Sequence, residues 1–389
     1  MTQSVMVVTD RADSAQAGID LGMRIREGFG GEIADAIVVF ASARHWDYAT
    51  LLGALAETSG TGTIVGCSSA GEFSNRESGV GTVSALALRS ATMRFTTALA
   101  ENLSAAPAVA ARTIASQFKG HNRAVMPYRS ALVMTDALAG HTDSVIEELT
   151  VATGGNYRFF GGGAGDDGRF QKTYVFANLV ARSDAIVALE ILSERPVGVG
   201  VSHGWVPAGE GLRVTEVDAS RLVGLNGVPA VQAFEDHAAM TGQRLDREDP
   251  LPFFLHNILG IQAAGRHRLR VPLGVNSDGS ISCAAAIPRG SIVHIMKTTE
   301  ASAVLAAEQA TRAALEGLAG AKPGAALVFD CVATRMRLGQ AFTTELNACA
   351  ALLEPTGFVG CNTYGQIARA EGQFGGFHNC TAVVCVLPE

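Results

Sequence analysis

The sequence is poor in charge, in aromatic side chains and in long apolar runs. Only 17% of its 389 residues are charged and 6% are aromatic, and the formal net charge is -7. Phosphate binding needs clustered Lys and Arg, and no such run occurs, so a nucleic-acid ligand is not expected. No stretch approaches the roughly 18 uninterrupted apolar residues of a membrane helix, so membrane insertion is not expected either.

Two further absences bear on location. The N-terminus has no basic segment followed by a long apolar one, as a secretory signal would, so we predict a cytoplasmic protein. The seven cysteines are an odd number and lack the CxxC spacing of a zinc site, which favours reduced thiols. What the chain does have is 48% hydrophobic residues and 44 glycines, enough for two domains rich in tight turns.

Three segments share one plan, and they cover residues 36–73, 131–170 and 325–368. Each opens with an apolar run, AIVVFAS, ALVMTDA or AALVFDC, that predicts a strand buried on both faces. A segment with helical spacing of apolar residues follows, and Thr142 and Asp143 are suited to cap one such helix. A glycine-rich return ends each segment, and a further apolar strand follows it.

The repeated plan predicts an α/β fold with mixed sheets built from strand-helix-strand-strand units. Gly66, Gly161 and Gly360 lie at similar distances from the three opening strands, and we expect them at equivalent turns.

Turns and short strands around residues 203–230 indicate a boundary between two closely packed domains, residues 1–217 and 218–389. Beyond it, VQAFEDHAAMTG predicts a helix, and the stretch from Thr299 to Leu318 predicts an Ala-rich one. Between them, residues 271–296 predict a hairpin that turns at Asp278 and Gly279.

The order of the motifs resembles the FIST family over most of the chain. The motifs are VGCSSAGEF at 65–73, FFGGGAGDDGRF at 159–170, HGWVPAG at 203–209, LNGVPA at 225–230 and GFVGCNTYGQI at 357–367. Each motif is weak alone, but their order is specific. One departure is Gln366, where the family often has Glu.

This resemblance implies that residues 1–217 and 218–389 are FIST N-like and FIST C-like sensory domains. It implies a cytoplasmic sensor of a small molecule or gas, not an enzyme, that acts through a separate histidine kinase or cyclic-dinucleotide enzyme. One branch of the family binds haem b and senses nitric oxide, and amino acids are the alternative ligand. A homo-oligomer is compatible with either role.

A haem would be held without covalent attachment, because the sequence has no CxxCH motif. His256 is the first candidate for the iron ligand, since PLPFFLHNILGI gives it the most apolar neighbours and places Phe253 and Phe254 where they could pack on a porphyrin. His378 and His203 follow, because they lie in family-like motifs.

A ligand other than haem is predicted to bind between the domains, where the glycine-rich returns let it approach the backbone. The candidate binding residues are Cys67, Ser68, Gly162, Asp166, Asn362 and Tyr364. A phosphate loop is excluded, because GGGAGDDG lacks the Lys of such loops and its two carboxylates would repel phosphate. A hydrolase that uses the turn at Cys67 and Ser68 is the remaining alternative, although GCSSAG lacks the GxSxG frame.

Overall fold

The structure is a computed structural model that describes residues 1–44, 47–75, 77–120, 126–263, 265–369 and 376–389. Its first unit contains β1 (Thr2–Thr9), α1 (Ser14–Gly28), β2 (Ala36–Ser42), α2 (Tyr48–Ser59), β3 (Ile64–Ser69), β4 (Glu72–Ser74), β5 (Ser78–Gly79) and β6 (Val83–Ser90). Strands β2 and β3 are parallel, and β6 returns antiparallel to β2. Asp13 and Asp47 cap the two helices by accepting backbone N–H bonds.

The second unit repeats this order. It contains β7 (Met93–Glu101), α3 (Pro107–Gln117), β8 (Tyr128–Thr135), a 3₁₀ turn (Ala137–Ala139), α4 (Thr142–Ala152), β9 (Arg158–Gly163), β10 (Val175–Ala177), β11 (Val180–Arg182) and β12 (Ala185–Ser193). The predicted cap of α4 is wrong. His141 occupies the cap position in a left-handed conformation, and Asp143 instead pairs with two arginines.

The third unit opens with β13 (Gly198–Ser202) and is then interrupted by a nine-stranded sheet, here called the inserted sheet (residues 206–297). The insertion contains β14 (Val206–Pro207), β15 (Leu212–Asp218), β16 (Arg221–Leu225), β17 (Val228–Pro229), α5 (Ala230–Thr241), α6 (Leu251–Phe254), β18 (Ile258–Ala263), β19 (Arg266–Arg270), β20 (Pro272–Val275), β21 (Ile281–Cys283) and β22 (Ile292–Lys297). The predicted helix α5 and the hairpin β20–β21 are confirmed. Val217, the predicted end of the first domain, lies within β15, and the division at that residue stays a prediction.

The third unit resumes after the insertion. It continues with α7 (Glu300–Glu316), β23 (Pro323–Cys331), α8 (Val332–Leu338), a 3₁₀ turn (Gly339–Ala341), α9 (Phe342–Leu353), β24 (Phe358–Thr363), β25 (Gln366–Ala368), β26 (Phe377–His378) and β27 (Ala382–Pro388). Thr299 and Ser302 form a capping box at the start of α7, which confirms the predicted Ala-rich helix. Within the described residues, no helix is both long enough and apolar enough to cross a lipid bilayer.

The three units exchange strands in a ring. Their sheets have the orders β1-β6-β2-β3-β10-β11, β7-β12-β8-β9-β25-β26 and β13-β27-β23-β24-β4-β5. The last two strands of each sheet therefore come from another unit: the second unit completes the first sheet, the third completes the second, and the first completes the third. The predicted α/β class with mixed sheets is confirmed, but the exchange of strands, the leading strands β1, β7 and β13, and the leading helices α1 and α3 were not predicted.

One face of each sheet packs into a common core. Val38 and Phe40 of β2, Met134 of β8, and Leu327 and Phe329 of β23 belong to this core. The rings of Phe40 and Phe329 meet edge to face at 5.6 Å and join the first unit to the third. The opposite faces are covered by the helices of each unit, so the opening strands are buried on both faces, as predicted.

The glycines at the equivalent positions of the repeat lie within strands and not at turns, which corrects the prediction. Gly66, Gly161 and Gly360 each lie opposite a valine of the preceding parallel strand, Val39, Val133 and Val328. A Cβ atom at these glycines would lie 1.7, 2.1 and 1.9 Å from the carbonyl oxygen of that valine. The three positions are equivalent, as predicted. Each requires glycine because the neighbouring strand is too close to admit any side chain.

Gly66→Ala is expected to lower the free energy of unfolding by at least about 2 kcal/mol, because the parallel strands must move apart to admit the methyl group. Gly53→Ala is the matched control, since a Cβ atom at this position in α2 meets nothing within 4 Å. This control should be neutral or stabilise the protein by up to about 1 kcal/mol. Urea denaturation measures both, and equal effects would contradict the strand contact.

Candidate functional site

An apolar cavity of about 110 Å³ opens where the inserted sheet meets the ring of units, and we call it the junction cavity. The inserted sheet contributes Leu251, Leu255, Val271, Leu273 and Ala284; the second unit contributes Ala137, Leu138 and Phe170; the third contributes Cys331, Val332, Ala333, Met336, Tyr364, Gly365 and Asn379. None of these lining residues carries a formal charge.

Large apolar side chains remain exposed at the rim of this cavity. Leu138, Phe170, Leu273 and Met336 are between 41% and 45% exposed, and they come from three distant parts of the chain. Exposed apolar side chains are common singly, but a group that converges on one opening marks a binding site.

Tyr364 stands in the turn that leads from β24 to the exchanged strand β25. Its ring stacks on Phe170 with centroids 4.4 Å apart. Its hydroxyl donates to the carboxylate of Asp166 and accepts the backbone N–H of Gly168 at 2.9 Å. Burial, and then the bond to Asp166, raise the pKa of this phenol, so it stays neutral. Tyr364, one of the predicted ligand-binding residues, lines the junction cavity.

Asp166 holds the loop that carries Phe170. Besides the Tyr364 hydroxyl, its carboxylate accepts backbone N–H bonds from Phe170 (2.8 Å), Gln171 (2.6 Å) and Lys172 (3.0 Å). Both carboxylate oxygens are therefore engaged within the protein. Asp166 shapes the cavity and is not among the residues that line it.

The inner wall of the junction cavity contains a thiol and an unpaired amide oxygen. Cys331 ends β23 and contacts Cys380 in a shared apolar cluster. A hydrogen bond from the Cys380 thiol, with backbone N–H groups, lowers the pKa of Cys331 to about 6 in spite of burial. The side-chain oxygen of Asn379 is buried without a partner among the described residues. A ligand in the junction cavity would contact these two polar groups.

Two buried carboxyl groups lie behind this wall. Burial, and then the neighbouring Glu345, raise the pKa of Asp330 well above its usual range. Burial raises the pKa of Glu345 to about 7. One oxygen of each group lacks a partner among the described residues. Two buried carboxylates cannot both ionise at short range, so the pair retains a proton at neutral pH.

An ion pair fixes the inserted sheet to the second unit. Asp143 of α4 pairs with Arg268 and, at 3.0 Å, with the almost fully buried Arg270. Burial lowers the pKa of Arg270 to about 10, but its guanidinium stays charged at neutral pH and needs this carboxylate. This ion pair fixes the position of the cavity wall formed by the inserted sheet relative to the walls formed by the ring of units.

Besides Asp166, four more of the six predicted ligand-binding residues do not line the junction cavity. Cys67 lies in the common core, and the hydroxyl of Ser68 accepts the backbone N–H of Tyr174 at 2.9 Å. Gly162 lies within β9, where a Cβ atom would meet the carbonyl oxygen of Gly365. Asn362 pairs through its backbone with the first unit. Each of these residues joins units together.

Gln366 and Glu72 occupy equivalent positions in two units, each near the start of an exchanged strand. The Nε2 of Gln366 donates to the hydroxyl of Thr363 at 2.9 Å, and Glu72 accepts from the hydroxyl of Ser69. Both side chains are buried and bond to the residue three positions earlier. Neither lines the junction cavity.

His256 does not share a pocket with the phenylalanines predicted to accompany it. Phe253 and Phe254 pack with Phe234 in the core of the inserted sheet. His256 is exposed at the end of the single helical turn α6 and does not line the junction cavity. Phe253, Phe254 and His256 therefore do not form one pocket in this structure, and haem binding through His256 stays a prediction.

His203 and His378 are occupied by backbone groups. The Nε2 of His203 donates to the carbonyl of His267 at 3.0 Å, and its Nδ1 accepts the N–H of Trp205 at 3.3 Å. The Nε2 of His378 donates to the carbonyl of Ala368 at 2.9 Å, and burial lowers its pKa to about 4. Both imidazoles act as structural hydrogen-bonding groups in this arrangement.

The cavity residues that sequence analysis missed are mainly apolar. Leu138 and Met336 carry no motif, and only their exposure in the folded chain distinguishes them. Cys331 could have been identified from the sequence. It ends an opening strand, and ligands of α/β proteins often bind at the carboxyl ends of strands.

Family comparisons agree with this architecture. The family model of the FIST N domain matches residues 35–228, and that of the FIST C domain matches residues 230–369. Together the matches cover most of the chain. FIST domains are sensor modules of signal transduction. No curated protein matches the chain.

The carboxyl pair predicts a stability that falls as pH rises. An unfolded Glu loses its proton near pH 4.3, whereas folded Glu345 keeps it up to about pH 7. The folded state therefore binds more protons between these values, and its free energy of unfolding declines from pH 5 to pH 7. Glu345→Gln should reduce this decline by on the order of 2 kcal/mol.

Urea denaturation at several pH values measures this decline, and Glu316→Gln at an exposed position of α7 is the control. The control should keep the pH dependence of the unaltered chain. A Glu345→Gln variant with the same pH dependence would show that Glu345 is not the group that binds the proton.

Proposed function

We propose that this chain, which belongs to the FIST family, is a sensor that binds a small, uncharged, largely apolar molecule in the junction cavity. The observation that carries the proposal is the convergence of four exposed apolar side chains on this opening. Binding there would bury them and release the water that covers them, which favours association.

The size of the cavity limits the ligand. A cavity of about 150 Å³ can hold benzene, so a cavity of about 110 Å³ with an open mouth suits a molecule of similar size. A hydrogen-bond donor on the ligand would satisfy the free oxygen of Asn379. A small phenol has both properties.

The lining gives less support to an amino-acid ligand. A zwitterion needs partners for a carboxylate and an ammonium group, and unpaired charges are costly to bury. The described lining offers no charged side chain.

Haem b, and with it nitric oxide sensing, does not fit the junction cavity. Pockets for ligands of drug size measure roughly 300 to 1,000 Å³, and the volume here is about 110 Å³. No described lining residue is a histidine. The hydrolase alternative also lacks support, because Cys67 and Ser68 are fully buried and do not line the cavity.

The proposed sensor acts in the cytoplasm through a separate signalling partner. A histidine kinase or a cyclic-dinucleotide enzyme is the partner class that the family resemblance suggests. Helix α8 is the element best placed to transmit binding, since Val332, Ala333 and Met336 line the cavity while Arg337 lies over the ring of Trp205 on the other side.

Binding of phenol tests the proposal. Phenol should raise the melting temperature of the unaltered chain, because a ligand that binds only the folded state stabilises it. Leu273→Asp places a charge at the mouth and should weaken phenol binding by roughly tenfold or more in calorimetric titration. Leu305→Asp, at an exposed leucine of α7 outside the cavity lining, is the matched control.

Leucine and hemin serve as competing ligands in the same assay. We expect neither to stabilise the protein, and we expect hemin to give no Soret band that depends on His256. Stabilisation by leucine without phenol binding would favour the amino-acid alternative. A Soret band abolished in a folded His256→Ala variant would establish the haem alternative.

A further inference from the structure

Two cysteines meet at the inner wall of the junction cavity. Cys331 lines the cavity at the end of β23, and Cys380 lies beside it before β27. Their surroundings are apolar, with Trp205, Ile258, Val271 and Met296 in the same cluster. Cys380 has a φ of 50°, a left-handed conformation that non-glycine residues rarely adopt. Such strain persists where the surrounding structure holds it, often at functional sites.

A second pair of cysteines provides a comparison within the same chain. Cys67 and Cys361 occupy equivalent positions in two units and are hydrogen-bonded to each other in the common core. Both are fully buried, and neither lines the junction cavity. The two pairs differ in access, because Cys331 lines the junction cavity and Cys380 lines a smaller cavity beside Asp330 and Glu345, whereas Cys67 and Cys361 line neither.

We propose that Cys331 and Cys380 form a reversible dithiol–disulfide site for small hydroperoxides that enter through the junction cavity. An uncharged oxidant suits this route, because the described lining carries no charge. Hydrogen peroxide is small enough to reach the inner wall.

The oxidation proceeds in two steps. The Cys331 thiolate attacks one oxygen of hydrogen peroxide, the O–O bond breaks, and hydroxide leaves to give a sulfenic acid on Cys331. The Cys380 sulfur then attacks the Cys331 sulfur; the S–S bond forms, the S–O bond breaks, and the thiol proton leaves with the oxygen as water. Two thiols are oxidised by two electrons, and one peroxide is reduced to two waters.

The environment favours Cys331 as the attacking sulfur. Hydrogen bonding from Cys380 lowers its pKa to about 6, so the reactive thiolate is present at neutral pH. Burial raises the pKa of the comparison thiol Cys361. The disulfide would also remove the thiol from the cavity wall, so oxidation should weaken the binding of any ligand that contacts it.

Mass spectrometry of the full chain tests the site. Hydrogen peroxide is added, free thiols are alkylated, and the tryptic peptides are analysed. We expect a Cys331–Cys380 linkage that dithiothreitol reverses, with Cys67 and Cys361 still alkylated as free thiols. A Cys67–Cys361 linkage that forms at the same rate, or no linkage at all, would overturn the proposal.

Substitutions separate the roles of the two sulfurs. Cys380→Ser should leave a sulfenic acid on Cys331 that dimedone traps, and Cys331→Ser should abolish both products. Cys349→Ser is the matched control, because its thiol is buried against Ala307 and does not line the cavity. It should keep the linkage, and thermal melts establish that each variant is folded.

Phenylarsine oxide provides a test on the unaltered chain if the variants do not fold. Its arsenic bonds to two sulfurs with loss of one water, and its phenyl ring matches the cavity in size and polarity. One adduct per chain is expected, blocked by prior oxidation with peroxide. An adduct that forms equally well after peroxide treatment, or none, would show that the two thiols are not jointly accessible.

Discussion

Backbone hydrogen bonds between exchanged strands hold the three units in a ring, and the rest of the structure depends on them. Strand β10 completes the sheet of β3, β25 completes that of β9, and β4 completes that of β24. Without the strand from another unit, the backbone groups along one edge of β3, β9 and β24 would have no partner strand. The units must therefore fold together. The crossing segments also build the site, since Tyr364 and Phe170 stand on two of them and stack against each other.

The local elements of this fold follow from the sequence to a large extent. The opening strands are apolar throughout because both their faces are buried, and the Asp278–Gly279 turn is a strong short-range signal. The exchange could not be predicted, because strands such as Gln366–Ala368 are too short to show a period. Their partners are chosen by the packing of whole units.

The sequence indicates the position of the candidate site better than it indicates the residues that line it. Tyr364 and a junction between domains follow from the glycine-rich returns, which must lie where the units meet. The exposure of His256 could not be predicted, because apolar neighbours in sequence do not fix the direction of a side chain. Phe254 faces the core of the inserted sheet while His256, two residues later, faces solvent. The apolar rim comes from segments far apart in the chain and exists only after folding.

In the proposed sensor, a small molecule in the junction cavity acts on α8. Hydrogen–deuterium exchange with saturating phenol tests this claim most directly. Exchange should slow in α8 and in residues 251–255, which both contribute to the cavity lining, because a molecule bound there contacts both and suppresses their local opening. Exchange in α1, which does not line the cavity, should not change. Unchanged exchange in α8 at full occupancy, or an equal change in α1, would contradict the claim.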